Sequence, residues 1–317
     1  MKINSLGIAS PIVLLIIIPP LLSGNRFLVT VLTSSLVFST LAAVYDLNVG
    51  YARIFNFGFG AFFGIGAYTS GLMSFHLGLP GWYGMLPGAA FATGIGFLAG
   101  VLTLRLRGVY VAMMTWFLAE ALRLVFANLV DYTRGYIGLV VEGNTPLNLG
   151  LITIDPSSFS RLPYYYVLLA LCLVMYFVLR KVVNSKAGLA FKALREDEDA
   201  AETLGIDTTR YKLLNFMLAS FFAGLIGAFY ANWVGVLTPD IFGVTLTVQV
   251  LSTTYVGGRG TLWGPMVAGF ILIPFFEIWR PFAVLQVVVY GLLLIVAMVF
   301  APRGLAGLIT SARAKLR

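Results

Sequence analysis

The sequence has 317 residues, of which 59% are hydrophobic and only 11% charged, and its formal net charge is +8. Soluble domains are roughly 45–50% apolar and about 25% charged, so this composition excludes a water-soluble fold. The apolar residues occur in repeated blocks that can form membrane-spanning helices of roughly 20 residues. We therefore predict an all-α, polytopic integral membrane protein in which residues 1–317 form a single transmembrane domain.

Hydropathy and the positions of glycine and proline divide the chain into about ten predicted spans, within a range of about eight to ten. In chain order, they cover residues 8–22, 27–46, 55–75, 84–104, 108–128, 163–183, 209–233, 244–258, 262–279 and 284–301. The weakest of them is 244–258. The first span, which follows Lys2, also resembles a secretory signal. Because Pro19 and Pro20 interrupt its apolar run and no small-residue cleavage site follows, we favour a retained span.

A glycine-rich segment at 57–68 begins the third span. It places Gly60 and Gly64 on one helix face, where a neighbouring backbone can approach closely. Gly66 and Tyr68 follow in the same segment. We consider all four residues as candidates to line a transport path, although tight helix packing alone would require the same glycines.

The fifth span carries two opposite charges one helical turn apart, Glu120 and Arg123. An isolated charge near the centre of a membrane costs about 2.5–3.5 kcal/mol, so the pair should face protein. It either locks helix packing or lines a path through the membrane.

Two hydrophilic segments interrupt the apolar pattern. Residues 128–163 are predicted to form an extracytoplasmic loop, and residues 184–210 a cytoplasmic one. The cytoplasmic segment contains six of the 13 acidic residues of the chain, Glu196, Asp197, Glu198, Asp199, Glu202 and Asp207.

The inner segment 184–210 predicts two short helices. Ser185 can cap a first helix that continues through Leu194, and Asp197 can cap a second one. The apolar residues of the second helix that share a face are Ala200, Ala201 and Leu204.

Gly205 can end the second helix in a left-handed conformation, and Thr208 or Thr209 can cap the span that follows. Such a segment is a rigid surface that a cytoplasmic partner can contact. A solvated connector would show the same features.

A second glycine-rich segment separates the spans 244–258 and 262–279. The path or break candidates here are Gly257, Gly258, Arg259, Gly260 and Thr261. Because interior glycines and prolines disfavour a continuous helix, we predict a break near 257–261, with Pro265 in the first turn of the next helix.

The basic residues indicate the orientation, because cytoplasmic loops of membrane proteins are enriched in Lys and Arg. With a cytoplasmic N-terminus, the outer loops carry only Arg26, Arg134, Arg161 and Arg280. We predict a multi-pass protein of the cell (inner or plasma) membrane with both termini in the cytoplasm. Its positive charge then reflects membrane topology and requires no nucleic acid partner.

The residue types exclude several kinds of chemistry. The single cysteine, Cys172, and the single histidine, His76, leave no set of residues with metal-ligand spacing. No lysine follows a glycine, which excludes a phosphate-binding Gly-Lys-Ser/Thr loop. We therefore predict that the chain is not an enzyme and has no catalytic residue, metal site or cofactor, so any ATP and Mg²⁺ are bound by partner subunits.

Eight motifs in the chain occur in the same order as in a known family. They are Phe62–Tyr68, Leu104–Tyr110, Glu120 with Arg123, Ala190–Glu198, Ala200–Ile206, Arg210–Leu213, Gly257–Pro265 and Pro302–Leu305. Over roughly residues 30–307, the chain resembles the LivM-type permease subunit of branched-chain amino-acid ABC importers, inner-membrane components of binding-protein-dependent transport systems.

The resemblance implies a permease subunit of an ATP-driven importer, most closely one for branched-chain, hydrophobic amino acids. It implies membrane lipid and four kinds of protein partner, and it implies no nucleic acid partner. They are a LivH-type sister permease, two cytoplasmic ABC ATPase subunits of the LivG and LivF types, and an external substrate-binding protein. It also implies that a coupling segment, 193–205, contacts the ATPase. The coupling candidates are Arg195, Glu196, Asp197, Ala200, Leu204 and Gly205.

Three alternatives remain. The same architecture could import urea, short amides or aromatic acids. A secondary transporter or channel acting alone should have ionisable residues in the middle of the membrane, where only Glu120, with Arg123 as its partner, qualifies. A membrane enzyme would need a nucleophile or metal constellation, which the sequence does not contain.

Overall fold

The structure is a computed structural model. It describes residues 15–20, 24–104, 106–141, 147–148, 153–154, 162–278 and short pieces at 288–289, 291–292, 295–296, 299 and 304–307. The predicted spans 8–22 and 284–301 lie largely outside the described residues, as do 142–146, 149–152 and 155–161 of the predicted loop 128–163.

The described part of the chain is mainly α-helical, which confirms the predicted fold class. Its helices are α1 (Arg26–Asp46), α2 (Phe59–Leu77), α3 (Met85–Thr103), α4 (Val109–Asn128), α5 (Val130–Thr133), α6 (Leu162–Val183), α7 (Lys186–Glu196), α8 (Glu198–Thr203), α9 (Thr208–Val234), α10 (Val244–Gly257) and α11 (Trp263–Ile278). A π-helical turn, Leu47–Tyr51, extends α1, and short 3₁₀ helices cover Gly81–Gly84, Gly135–Ile137 and Pro239–Phe242.

Within the described residues, four strands of two residues each form two small antiparallel ladders. They are β1 (Leu139–Val140), β2 (Leu147–Asn148), β3 (Thr153–Ile154) and β4 (Val236–Leu237). Strand β1 pairs with β4, with Leu139 opposite Leu237, and β2 pairs with β3. The first ladder therefore ties the end of α9 to the segment that follows α5.

Five helical segments of the described chain are long and apolar enough to cross a membrane. They are Arg26–Tyr51, Gly81–Thr103, Val109–Asn128, Leu162–Val183 and Thr208–Val234. Each coincides with a predicted span to within a few residues. Helices α2, α10 and α11 match three further predicted spans, but α10 has only 14 residues. The total of about ten spans remains a prediction.

Helix α9 packs against α2 and α3 through small residues. A Cβ atom on Gly66 of α2 would overlap the backbone of Gly224 in α9, and one on Gly227 would overlap the Phe63 carbonyl group. These glycines let the helix backbones approach more closely than side chains would permit. On the other side of the molecule, α1 contacts α6, α10 and α11.

The two ends of the bundle carry different connections. At one end, Arg107, just before α4, binds Asp199 of α8. At the other, His76 Nε2 lies 3.0 Å from the Tyr132 carbonyl oxygen, beyond the end of α4. Helix α4 has 20 residues, equivalent to roughly 30 Å. The inner segment and the start of the predicted outer loop therefore lie at opposite ends of α4.

Substitution of Gly66 by Val should disrupt the contact between α2 and α9. The branched side chain would meet the Gly224 backbone, and overpacking of this kind costs about 1–3 kcal/mol. We expect a midpoint of thermal denaturation several degrees lower for the detergent-purified protein. The matched control is Gly94→Val in α3, because Gly94 has no neighbour within 4 Å. Equal melting of the two variants would contradict this close packing.

Candidate functional site

The inner segment contains the two predicted short helices. Helix α7 begins after Ser185, whose Oγ accepts a hydrogen bond of 3.2 Å from the Ala187 amide. Helix α8 begins after Asp197, whose Oδ1 accepts one of 2.9 Å from the Ala200 amide. Gly205 follows with a left-handed φ of +80°. These observations confirm the predicted caps and the predicted stop.

Two details of the inner segment differ from the prediction. Asp207, rather than Thr208 or Thr209, caps α9, because its carboxylate accepts a hydrogen bond of 2.9 Å from the Arg210 amide. A carboxylate also interacts favourably with the positive end of a helix, which a hydroxyl group does not.

The second difference concerns the apolar face of α8. Ala201 is buried, but Ala200 is exposed and Leu204 is 80% exposed. The prediction that these three side chains share one face is therefore wrong, because Ala201 faces the bundle and the other two face outward. Helix α8 has only six residues, so a single turn rests on the bundle and the next apolar side chain points outward.

The acidic residues of the inner segment mostly anchor it. Asp197 and Asp207 are caps, and Asp199 accepts hydrogen bonds of 2.8 and 3.0 Å from Arg107. Glu198 accepts one of 2.5 Å from Lys212 Nζ at a largely buried position. The remaining two, Glu196 and Glu202, are exposed.

The pair between Arg107 and Asp199 is highly exposed and so contributes little to stability. Its hydrogen bonds raise the pKa of the Arg107 guanidinium, so the arginine stays charged at physiological pH. The pair connects α8 to the start of α4, and the more buried Glu198–Lys212 pair connects α8 to α9.

Arg195 is the predicted coupling residue that reaches the transmembrane helices. Its Nη1 donates a hydrogen bond of 2.8 Å to the Gly50 carbonyl group in the π-helical turn after α1. Its contact with Glu196 is longer, 3.9 Å from Nε to Oε1. The last turn of α7 is therefore attached directly to the end of α1.

The predicted helix break is confirmed. Helix α10 ends at Gly257 and α11 begins at Trp263, so that Pro265 lies in its first turn. Gly258 and Gly260 have φ values of +107° and +75°, which side-chain-bearing residues rarely adopt. Thr261 stabilises the turn, since its hydroxyl donates to the Gly258 carbonyl group at 2.6 Å.

The break is held by Asp46, which was not among the predicted site residues. Its side chain is 0% exposed, and its carboxylate accepts hydrogen bonds from the amides of Gly260, Thr261 and Leu262 at 2.7, 3.1 and 3.1 Å. Glu120 is thus not the only acidic residue of interest in the spans. The sequence did contain a signal for Asp46, because a carboxylate at the end of an otherwise apolar span is unusual.

The π-helical turn brings Asp46 and Arg195 together. A Cβ atom on Gly50 would overlap both Asp46 Oδ1 and the Gly260 nitrogen. Asn215 of α9 donates a hydrogen bond of 2.9 Å to the Leu47 carbonyl group at the start of the π-turn. We call the contact formed by Asp46, Gly50, Arg195 and Gly260–Leu262 the Asp46 junction.

Arg259 is exposed beside this junction. Its guanidinium carbon lies 4.7 Å from the centre of the Tyr255 ring. Arg259 therefore faces away from the packed break, at the same end of the bundle as Arg195.

The first glycine-rich segment is tightly packed. The Gly60 amide donates a hydrogen bond of 3.0 Å to Thr247 Oγ1, and a Cβ atom on Gly64 would press on the Phe242 ring. Tyr68 is buried and stacks on Phe242 with ring centres 5.4 Å apart. Since Gly66 touches Gly224, the geometry of all four candidates favours the packing interpretation, and their role in a path remains a prediction.

Glu120 and Arg123 form the expected pair. Arg123 Nε donates hydrogen bonds of 3.0 and 2.9 Å to the two Glu120 oxygens, and its Nη1 contacts the Tyr136 hydroxyl group. Both charged residues line a cavity of about 660 Å³ that also contacts Asp240. Within the described part of the chain, no three His, Cys, Asp or Glu side chains are grouped to hold a metal ion.

Comparison with known proteins identifies the family. Residues 27–298 match the permease component of the branched-chain amino acid transport system. The chain belongs to this family. Because its members are transport components, the family agrees with the prediction that the chain is a membrane permease and not an enzyme.

Individual relatives agree with this assignment. The chain is 30% identical over 300 residues to the high-affinity branched-chain amino acid permease proteins LivM of Escherichia coli and Salmonella typhimurium, covering 89% of the chain and 70% of each relative. It is 33% identical over 88 residues to LivH of Escherichia coli, 28% of each chain. The nucleoside ABC transporter permease NupC of Lactococcus lactis is 27% identical over 214 residues, 63% of this chain and 64% of NupC. No solved structure matches the chain.

Substitution of Asp46 by Asn should loosen the helix break. The amide keeps the shape of the side chain but removes the charge and turns one acceptor into a donor that opposes the backbone amides. Since a hydrogen bond to a charged group contributes about 1.5–3 kcal/mol, we expect the Gly260–Leu262 amides to exchange with deuterium about tenfold faster or more. The measurement is hydrogen–deuterium exchange of the permease in nanodiscs.

The control for this experiment is Asp131→Asn, since Asp131 is exposed at the other end of the bundle. Unchanged exchange in the Asp46 variant would show that the carboxylate does not hold the break.

Proposed function

We propose that this chain is the permease subunit of an ATP-driven importer of branched-chain, hydrophobic amino acids. The observation that carries the proposal is the family match over 27–298, which includes both the inner segment and the helix break. The substrate class comes from the LivM relatives, which align with 89% of the chain.

The proposed assembly contains a LivH-type sister permease, two ABC ATPase subunits of the LivG and LivF types and an external substrate-binding protein. The separate LivM and LivH relatives support a pair of permeases. Because the sequence contains no phosphate-binding loop, ATP and Mg²⁺ are assigned to the ATPase subunits and no cofactor to this chain. The inner segment and both termini are placed in the cytoplasm, as the distribution of Lys and Arg favours.

The proposed ATPase contact is the outward face of the inner segment. In this segment Leu189 and Leu204 are 65% and 80% exposed, and the carboxylates of Glu196 and Glu202 are also exposed. Exposed leucines on a segment whose other face is attached to the bundle provide an apolar contact for a partner. Gly205 sets the direction of the chain immediately after Leu204.

The Asp46 junction supports a route from the ATPase contact to the membrane. A movement of α7 acts on Gly50 through the Arg195 hydrogen bond, and Gly50 packs on Asp46, which holds the break between α10 and α11. ATP binding and hydrolysis would then favour different arrangements of the two helices. A shift of this kind requires that ATP binds the two arrangements with different affinity.

The substrate is tested with the complete complex in proteoliposomes. Leucine, isoleucine and valine, presented with the binding protein, should each stimulate ATP hydrolysis and enter the vesicles. Nucleosides, urea, short amides and aromatic acids are the comparison set, and nucleosides come first because of the NupC relative. Stimulation by one of these compounds, but not by the branched-chain amino acids, would refute the proposed substrate.

Gly205→Val should uncouple the transporter. At a φ of +80°, a side chain costs about 1–2 kcal/mol, and the strain would redirect the segment that carries Leu204. We expect association with the ATPase subunits and substrate-stimulated ATP hydrolysis to fall, with little change in the melting temperature of the permease.

Gly78→Val is the matched control for Gly205→Val. Gly78 has a φ of +62° and, like Gly205, no neighbour within 4 Å, but it ends α2 at the opposite end of the bundle. Equal loss of coupling in both variants would indicate general strain, and normal coupling in the Gly205 variant would remove this segment from the ATPase contact.

A further inference from the structure

The cavity beside Glu120 and Arg123 lies away from the ATPase contact. It opens between the second half of α4, the end of α9 and the start of α10. Asp240 follows β4, which pairs with β1 near the start of the predicted outer loop. Its volume of about 660 Å³ is within the roughly 300–1,000 Å³ of ligand-binding cavities.

One of the two carboxylates that line the cavity is available to bind a ligand. Glu120 and Arg123 are hydrogen-bonded to each other, but Asp240 forms no ion pair with any other described residue. Asp240 is exposed at the cavity wall. These three groups carry a net charge of −1, and both signs of charge border the same space.

The rest of the cavity wall combines polar and apolar side chains. Phe38, Ile241 and Leu246 are half-buried and line it from α1, from the 3₁₀ helix and from α10. The cavity therefore combines a charged region of both signs with an apolar surface. This combination matches a hydrophobic amino acid, which has an ammonium group, a carboxylate and an apolar side chain.

We propose that this cavity is a transit site that contacts the amino acid after its delivery to the permease. Asp240 binds the ammonium group, and the apolar part of the wall receives the side chain. Arg123 binds the carboxylate through the Nη1 and Nη2 hydrogens that Tyr136 and Glu120 leave free. The inference rests on the proposed function. A nucleoside has neither of these two charges and would leave Asp240 unpaired.

Exposed ion pairs are weak, so the site releases its ligand readily. Weak binding suits a transport path, because a tightly held substrate would be released slowly. The arrangement also explains why Glu120 accompanies Arg123, since Glu120 orients the guanidinium through a bifurcated hydrogen bond from Nε and a second hydrogen bond from Nη2.

The test is photocrosslinking with a diazirine analogue of leucine, applied to the assembled complex in nanodiscs without the binding protein. We expect labelling of cavity residues such as Phe38 and Leu246, identified by mass spectrometry. Unlabelled leucine should compete, whereas 4-methyl-2-oxopentanoate, which lacks the ammonium group, and leucinol, which lacks the carboxylate, should compete poorly.

Asp240→Asn should reduce labelling about tenfold, because it removes a charge-assisted hydrogen bond. Asp240→Glu should retain part of the labelling, and Asp131→Asn, an exposed carboxylate outside the cavity, should retain all of it. Labelling elsewhere, equal labelling in the Asp240→Asn variant, or equal competition by the oxo acid would overturn the proposal.

This outcome is separable from the proposed function. Leucine uptake without cavity labelling would refute the transit site and leave the importer intact. Uptake of nucleosides without leucine uptake would refute the proposed substrate, and the transit site with it.

Discussion

The buried Asp46 carboxylate accepts hydrogen bonds from three backbone amides, and the architecture of this end of the bundle depends on that contact. Helix α10 stops at Gly257 and α11 starts at Trp263, and the amides between them have no helical partners. In an apolar environment, each unpaired amide would be costly, as would an unpaired carboxylate. The Asp46 carboxylate and the three amides provide hydrogen-bond partners for each other, and this contact joins the end of α1 to the break between α10 and α11.

The inner segment is attached to this contact between α1 and the break. Gly50 must lack a side chain because Asp46 and Gly260 occupy that space, and its carbonyl group receives Arg195. The acidic residues around Arg195 then serve two purposes. Most cap helices or bind Arg107 and Lys212, and the exposed remainder stays available to a partner. The segment is thus attached to the bundle by several contacts and has an exposed leucine, Leu204, after its second helix.

Helix α2 is held in a different way, by close packing of its glycines. Close helix packing through Gly60, Gly64 and Gly66 fixes α2 against α9, α10 and the Phe242 turn. This rigid packing leaves space beside α4, where the Glu120–Arg123 pair and Asp240 border one cavity. The Asp46 junction and the cavity are thus two separate sites that contain charged groups.

The sequence by itself determined the membrane class, most span positions, the caps at Ser185 and Asp197 and the break at 257–261, because hydropathy, capping and glycine preferences are local. Only the tertiary structure decided which distant residues meet. Asp46 lies more than 200 positions before the amides that it binds, and no local pattern contains that separation. For the same reason, the sequence could pair Glu120 with Arg123 at one helical turn, but could not bring Asp240 to their cavity or choose Asp207 over its neighbouring threonines.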